Sequence, residues 1–373
     1  MKSFHFVKIF ILIDQMNSHG GIEKLVAMKA NYWSEHFGYD VTVVSTEQRG
    51  MPYVYKPSPE VRLVDLEIGY DRSISFFHPK NLRNLWVNRG RLLKLTKKEN
   101  PDFIVVASHI PMTYLLPFLK TGAMTIKEFH YSRFKQHLTF KEKIFATVER
   151  YYDYLVILSK EEETFYSSSN TVVIPNPVNI VSKLVIPISE RKNVAVAALR
   201  FAPVKQIEKM VEIWERFFRN NPSWELHLYG EAKNEYAQEI RQMVISKNLQ
   251  DTILFKGESN GIQHVFSESK VLLMTSSQEC FPMAILEAQS CGMPVVSFDS
   301  PTGPRNIIND GKDGLLVELY NINAFAHALN ELVNNSARMR AMSQAALENA
   351  GKFQIDKVMD VWKNTIFEKN THV

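Results

Sequence analysis

Short apolar runs alternate along this chain with stretches of helical period. Residues 6–13, 41–45, 61–65, 103–107, 124–129, 154–158 and 171–174 read as buried strands. Between them, a helix is expected from Gly20-Gly21 through residue 37 and another over 81–98. A third begins at Lys160, capped by Ser159. Pro175-Asn176-Pro177 is a rigid stop, after which a second series starts: strands at 194–198, 224–229, 253–255, 271–274 and 294–298, with an amphipathic helix at 207–219. The run 272–274 opens into a loop and a helix from Met283, which Gly292 ends and Pro294 prevents from continuing. Three closing helices are expected at 323–334, 337–350 and 355–368. Strand and helix alternating twice predicts two α/β domains, each a parallel sheet with helices on both faces.

Length agrees with two domains, since 373 residues exceed one ordinary core. Composition is that of a globular protein, 45% hydrophobic and 23% charged, which excludes extensive disorder. Two cysteines, Cys280 and Cys291, cannot build a disulfide framework and point to a reducing cytoplasm. The run 4–13 is short, interrupted by His5 and Lys8, and lacks a cleavage site, so it reads as a strand and not a signal peptide. No apolar stretch approaches the roughly 18 residues that span a bilayer.

Net charge is only +4, but between Lys80 and Arg150 fourteen basic side chains face five acidic ones, a local +9. Such a patch suits an anionic partner, a lipid surface above all. The helix over 81–98 carries Leu82, Leu85, Trp86, Leu92 and Leu93 among six basic residues. It either lies on a membrane or packs its apolar stripe on the sheet. Nucleic acid has little support, because no reading helix or aromatic platform accompanies the patch.

Candidate chemistry sits where strands end. Gly20-Gly21 opens a helix whose positive end can receive a phosphate, though a glycine pair is also a common tight turn. His109 and His130 each follow a strand. Arg200 and Lys205, between a strand and a helix, can converge on a diphosphate or be two exposed charges. Glu279 lies in the loop before the helix from Met283, and Glu287 lies one turn into it. Pro282 has no N–H, so Met283 and Ala284 offer the amide donors.

The block Glu279-Cys-Phe-Pro-Met-Ala-Ile-Leu-Glu287, followed by Ala-Gln-Ser-Cys-Gly-Met-Pro-Val-Val, resembles the two-glutamate (E-x7-E) signature of retaining glycosyltransferases of family four. The resemblance covers nearly the whole chain. It implies the GT-B fold, two Rossmann-like doubly wound domains facing a central cleft. The expected extents are an acceptor-side domain at 1–178, a nucleotide-sugar donor domain at 179–352, and a helix at 353–373 crossing back to the first domain. It also implies an enzyme that moves a hexose from a nucleotide sugar, UDP-sugar favoured, to a glycan or lipid-linked saccharide in surface-polysaccharide synthesis. Its place would be the cytoplasm, or the inner face of the cell membrane.

By the same resemblance Glu279 and His130 lie by the donor sugar and are the catalytic candidates, and Glu287 holds the ribose. Gly20, Gly21, Arg200, Lys205 and the loop Phe281, Pro282, Met283 and Ala284 meet sugar or phosphate. Gly230 and Lys256 stand near the base-binding edge. This chain departs from the family pattern at Gln206, usually Gly, and at Arg305, usually acidic, and the latter bears on the donor sugar. No Asp-x-Asp occurs, so neither a metal nor another cofactor is expected. Two other functions fit the same motifs: a GT-B phosphorylase or sugar-phosphate synthase, and a catalytically silent nucleotide-sugar-binding scaffold.

Overall fold

The Ile-, Val- and Leu-rich runs form parallel strands buried on both faces, as strands must be when helices cover each side of the sheet. The structure, a computed structural model, describes residues 7–75, 78–134, 140–166, 168–259 and 261–371. Phe6, where the first strand was expected to begin, Lys135 of the basic stretch and the side chain of Lys141 lie outside them. The first sheet comprises β1 (Lys8–Ile13), β2 (Asp40–Ser45), β3 (Arg62–Asp65), β4 (Phe103–Val106), β5 (Met124–Glu128), β6 (Tyr154–Ile157) and β7 (Thr171–Val173). The second comprises β8 (Lys192–Ala198), β9 (Glu225–Tyr229), β10 (Ile253–Gly257), β11 (Ser269–Met274), β12 (Val295–Phe298) and β13 (Gly314–Val317).

The first sheet runs in the order β3-β2-β1-β4-β5-β6-β7 and the second in the order β10-β9-β8-β11-β12-β13. Counted from its own first strand, each begins 3-2-1-4-5-6, the doubly wound order. In such sheets ligands bind at the carboxyl ends of the strands where the order reverses. Those points are β1/β4 and β8/β11.

By contact the chain divides into two compact units, residues 1–174 with 359–373, and residues 175–358. The sequence reading placed the boundaries after 178 and 352. Val178 is tied into the second unit, since its amide donates to Phe353 O and Ile355 N donates back to Val178 O. In the first unit the segment from Met359 onward packs on the sheet. Trp362 and Phe367 close on Trp33 at 5.4 and 5.1 Å, Phe367 on Phe103 at 5.0 Å, and a π-helical turn, Lys363–Phe367, sets their spacing.

The helix Pro79–Glu99 corrects the expected apolar stripe. Its buried positions are Asn81, Leu85, Asn88, Leu92 and Thr96, a regular helical row, whereas Leu82 and Trp86 face solvent. Two asparagines are tolerated in that row because their amides are satisfied. Asn81 Nδ2 donates to Asp71 O at 2.9 Å, and Asn88 Nδ2 donates to Tyr70 Oη at 3.4 Å. Among the described residues no helix is long and apolar enough to cross a membrane.

Candidate active site

In the second unit the order reversal sets the loop after β8 beside the loop after β11. The sequence stitches them. Thr275 Oγ1 donates to Lys205 O and Gln206 O at 2.9 and 3.1 Å, and Ser277 N donates to Val204 O at 2.8 Å. Lys205 Nζ is thereby set 2.5 Å from Glu279 Oε1, the two side chains 17% and 13% exposed. Two residues picked out separately in the sequence thus meet as an ion pair at the switch point. Gln206 takes the left-handed conformation, φ +51° and ψ +48°, that glycine would adopt freely. The departure from the family pattern leaves the turn intact at a conformational cost.

A third loop, after β12, braces the backbone and Cβ of the same residue. Thr302 Oγ1 donates to Glu279 O at 3.0 Å. Gly303 lies so close that a Cβ there would stand 2.4 Å from Glu279 Cβ. Sequence reading singled out only Arg305 after this loop, since the contact of Thr302 and Gly303 with Glu279 depends on the sheet order. Arg305, found where an acid is usual, is drawn away in a two-point ion pair with Asp299, at 2.8 and 2.7 Å.

Pro282 precedes the helix Met283–Ser290, which leaves the Met283 and Ala284 amides at its positive end without intrahelical acceptors. Phe281 is buried, its ring 5.6 Å from that of Phe353 and its carbonyl accepting from Asn176 Nδ2 at 3.3 Å, so its side chain acts in packing. Glu287 is buried one turn into the helix. Gly230 has a structural reason of its own: at φ +141° a Cβ would lie 1.9 Å from Leu199 O, and its amide already donates to Gly257 O. Lys256, on β10, is exposed, as is Arg200 after β8.

In the first unit Gly20 caps the helix Gly21–Glu35. Glu23 folds back over it, accepting from Ser18 Oγ at 2.6 Å, and a Cβ on Gly20 would stand 2.0 Å from Glu23 Oε2. The helix terminus read as a phosphate seat therefore carries the chain's own carboxylate.

His130, just past β5, has a side chain only 6% exposed, and neither ring nitrogen has a hydrogen-bond partner among the described residues. Glu128 Oε2 is 3.9 Å away, too far for one. Burial pushes its pKa below the ordinary histidine value and keeps the ring neutral. His109, by contrast, is exposed and paired with Tyr114 Oη at 3.0 Å.

Around His130 lies a charged cluster that sequence reading missed. Lys29 and Glu128 form an ion pair, both buried. Lys127, 2% exposed, donates to the carbonyls of Val106, Ser108 and Glu128 at 3.3, 3.2 and 2.7 Å. Its burial brings its pKa down to about 7. Lys127 had been counted in the basic patch; it belongs to the interior instead, and Arg133 of the same patch is paired with buried Glu149. Among the described residues no group of three or more His, Cys, Asp or Glu side chains is placed to hold a metal ion.

Two doubly wound units in one chain are the architecture of the GT-B fold. Comparison with known proteins agrees along most of the chain. A family model described as "Glycosyltransferase Family 4" matches residues 19–181, and one described as "Glycosyl transferases group 1" matches residues 182–349. The chain is 23% identical over 376 residues to the amylovoran biosynthesis glycosyltransferase AmsD of Erwinia amylovora, covering 96% of this chain and 99% of AmsD. Its fold is similar to that of Staphylococcus aureus TarM in complex with fondaparinux, alpha-GlcNAc-glycerol and UDP. There the TM-score is 0.79 and the identity 16%, over 96% of this chain and 99% of that one. It is similar also to Anabaena HepE in complex with UDP and glucose, with TM-score 0.78 and identity 17% over the same shares. The chain is a glycosyltransferase with the GT-B fold.

Proposed function

We propose that this chain is a retaining glycosyltransferase of family four. In this reading it moves a hexose from a UDP-sugar to a glycan or lipid-linked saccharide in cell-surface polysaccharide synthesis, without a metal. The observation that carries the reading is the Lys205–Glu279 pair, held by three loops at the switch point of the second sheet. UDP in the structures of TarM and HepE supports the choice of base.

Arg200 and Lys205, with the Met283 and Ala284 amides, neutralise the leaving diphosphate, work that a metal does elsewhere. Glu279 orients the sugar and Glu287 holds the ribose. The departing phosphate oxygen takes the proton of the acceptor hydroxyl as the new glycosidic bond forms on the face the diphosphate leaves. His130, buried and neutral, is the first unit's candidate for contact with the donor sugar.

The test is thermal unfolding with UDP, GDP and ADP in the presence of a chelator. A ligand at a hundred times its Kd stabilises by about 2.7 kcal/mol. A shift with UDP, lost in Arg200→Ala and Lys205→Ala, is the expected result; no shift with any nucleotide, or one that returns only with added metal, counts against it.

A peripheral place on the inner face of the cell membrane is favoured by a separate observation. Trp86 is 65% exposed, with Leu82 and Val87 also exposed, on a helix that carries Arg83, Arg89 and Lys94. An aromatic and two aliphatic side chains among cations suit an anionic bilayer. Sedimentation with phosphatidylglycerol vesicles should capture the protein at low salt and release it at high salt; equal capture of Trp86→Ala would remove this part of the proposal.

A further inference from the structure

At the carboxyl end of β5, three buried polar atoms lack hydrogen-bond partners among the described residues: Glu128 Oε2 and both ring nitrogens of His130. Two of them face each other. His130 Nε2 stands 3.9 Å from Glu128 Oε2, with the side chains 6% and 3% exposed. A buried donor and a buried acceptor left apart are each costly, and closing the gap by about 1 Å satisfies both at once. Neither atom reaches solvent, so the partner of each has to come from within the chain.

Glu128 is not free to move toward the ring. It ends β5, which is paired on both sides and whose ladder continues into Phe129 N, donating to Val156 O at 2.9 Å. Its Oε1 is pinned by Lys29. Lys29 comes from the helix Gly21–Glu35 and lies over the rings of Trp362 and Trp33, at 5.3 and 5.9 Å from their centroids. Burial raises the pKa of Glu128, but Lys29 and then His130 bring it down to about 2, so its side chain is a carboxylate and can only accept. Lys127 does not supply the missing donor, because its ammonium is spent on the carbonyls of Val106, Ser108 and Glu128. The ring of His130 is what remains to turn.

We infer that Glu128 is the positioning residue of His130. Nε2–H of the ring donates to Glu128 Oε2, which fixes the neutral imidazole in the Nε2–H tautomer and in one orientation. Lys29 sets the carboxylate, so the helix opened by the glycine pair and the strand leading to His130 are joined through one buried ion pair. That this bond serves sugar transfer rests on the reading of His130 given above; the bond itself does not depend on that reading.

The experiment is NMR of the full chain labelled with nitrogen-15 in its histidines, at neutral pH. The signals missing from His130→Ala identify His130. The proton is expected on Nε2 in the natural chain and on Nδ1 in Glu128→Gln. In that variant Lys29 takes the amide oxygen and the amide NH2 faces Nε2, which must then accept. Release of UDP from UDP-glucose, UDP-galactose and UDP-N-acetylglucosamine is measured alongside. Glu128→Gln is expected to slow it about tenfold or more with UDP affinity kept, and to cost nothing further when added to His130→Ala. A natural chain with the proton on Nδ1 or on both nitrogens, an unchanged tautomer in folded Glu128→Gln, or an added loss in the double variant overturns the proposal. A cooperative thermal melt shows which variants are folded, and the tautomer of the natural chain decides alone where Glu128→Gln is not. An Nε2–H ring found together with undiminished release in His130→Ala, or with no release from any of the three sugars, keeps the hydrogen bond and fails the donor-sugar reading.

Discussion

Lys205 Nζ stands 2.5 Å from Glu279 Oε1, so the cation expected to meet the donor diphosphate is held by the carboxylate expected to meet its sugar. A diphosphate must compete for that lysine. Glu279→Gln is therefore expected to bind UDP at least as tightly as the natural protein while transfer falls by about 10²-fold or more. Calorimetric titration and a product assay read the two effects. A clear loss of UDP affinity would move Glu279 into the nucleotide site.

Gly303→Ala tests the brace behind that carboxylate without altering any charge. The new methyl would stand 2.4 Å from Glu279 Cβ and near its backbone, where no flexible chain end can yield. Displacement of the Glu279 carboxylate by about 1 Å is expected to lower kcat by about 10²-fold with UDP affinity kept. Undiminished kcat would show that the exact seat of Glu279 is unimportant.

Gln206 offers a stabilising change. Its left-handed backbone is costly for a residue with a Cβ, so Gln206→Gly is expected to raise stability by up to about 1 kcal/mol, offset in part by the greater freedom of glycine when unfolded. Urea unfolding of the purified variant measures it. A loss of stability would mean that the Gln206 side chain contributes more than its backbone costs.

The buried Lys29–Glu128 pair should show strong coupling. Removing one partner leaves a buried charge alone, so Lys29→Met is expected to cost about 3–5 kcal/mol, and adding Glu128→Gln should recover a good part of it. Denaturant melts of the two singles and the double close the cycle; additive losses would show that the charges do not depend on each other.

Lys127 makes stability depend on alkali. Burial sets its pKa at about 7, against about 10.4 in an unfolded chain. Between those values the unfolded state binds more protons, so this group's contribution rises with pH by up to about 1.4 kcal/mol per unit. Below pH 7 the cost of burying its charge is fully present. Stability measured from pH 7 to 10 should rise less steeply in Lys127→Met; an identical pH profile would place Lys127 in solvent.

Much of this architecture was legible because both sheets are buried on two sides, and strands so placed read as plain apolar runs. The helix Glu235–Ser246 left a signal that was not used: Asn234 at its cap, then Ala237, Ile240 and Val244 on one face. The inward face of Pro79–Glu99 was hidden because Asn81 and Asn88 look like surface residues until their amide partners are known. Lys127 and Glu128 were read as surface charges for a similar reason. Glu128 is paired with a lysine 99 positions earlier, and no local pattern reports that. In the candidate site, Glu279 and Lys205 were visible through the motif, but Thr302 and Gly303 meet Glu279 only once β12 lies beside β11.

The aromatic cluster of Trp33, Phe103, Trp362 and Phe367 has a consequence for how this chain is made. The first unit takes part of its interior from residues beyond Met359, which leave the ribosome only after the whole of the second unit. During synthesis the second unit can close as one continuous segment, while the first waits with Trp33 uncovered. The half made earlier is the half completed last, and through that interval it depends on chaperones or on speed of elongation to avoid sticking to its neighbours.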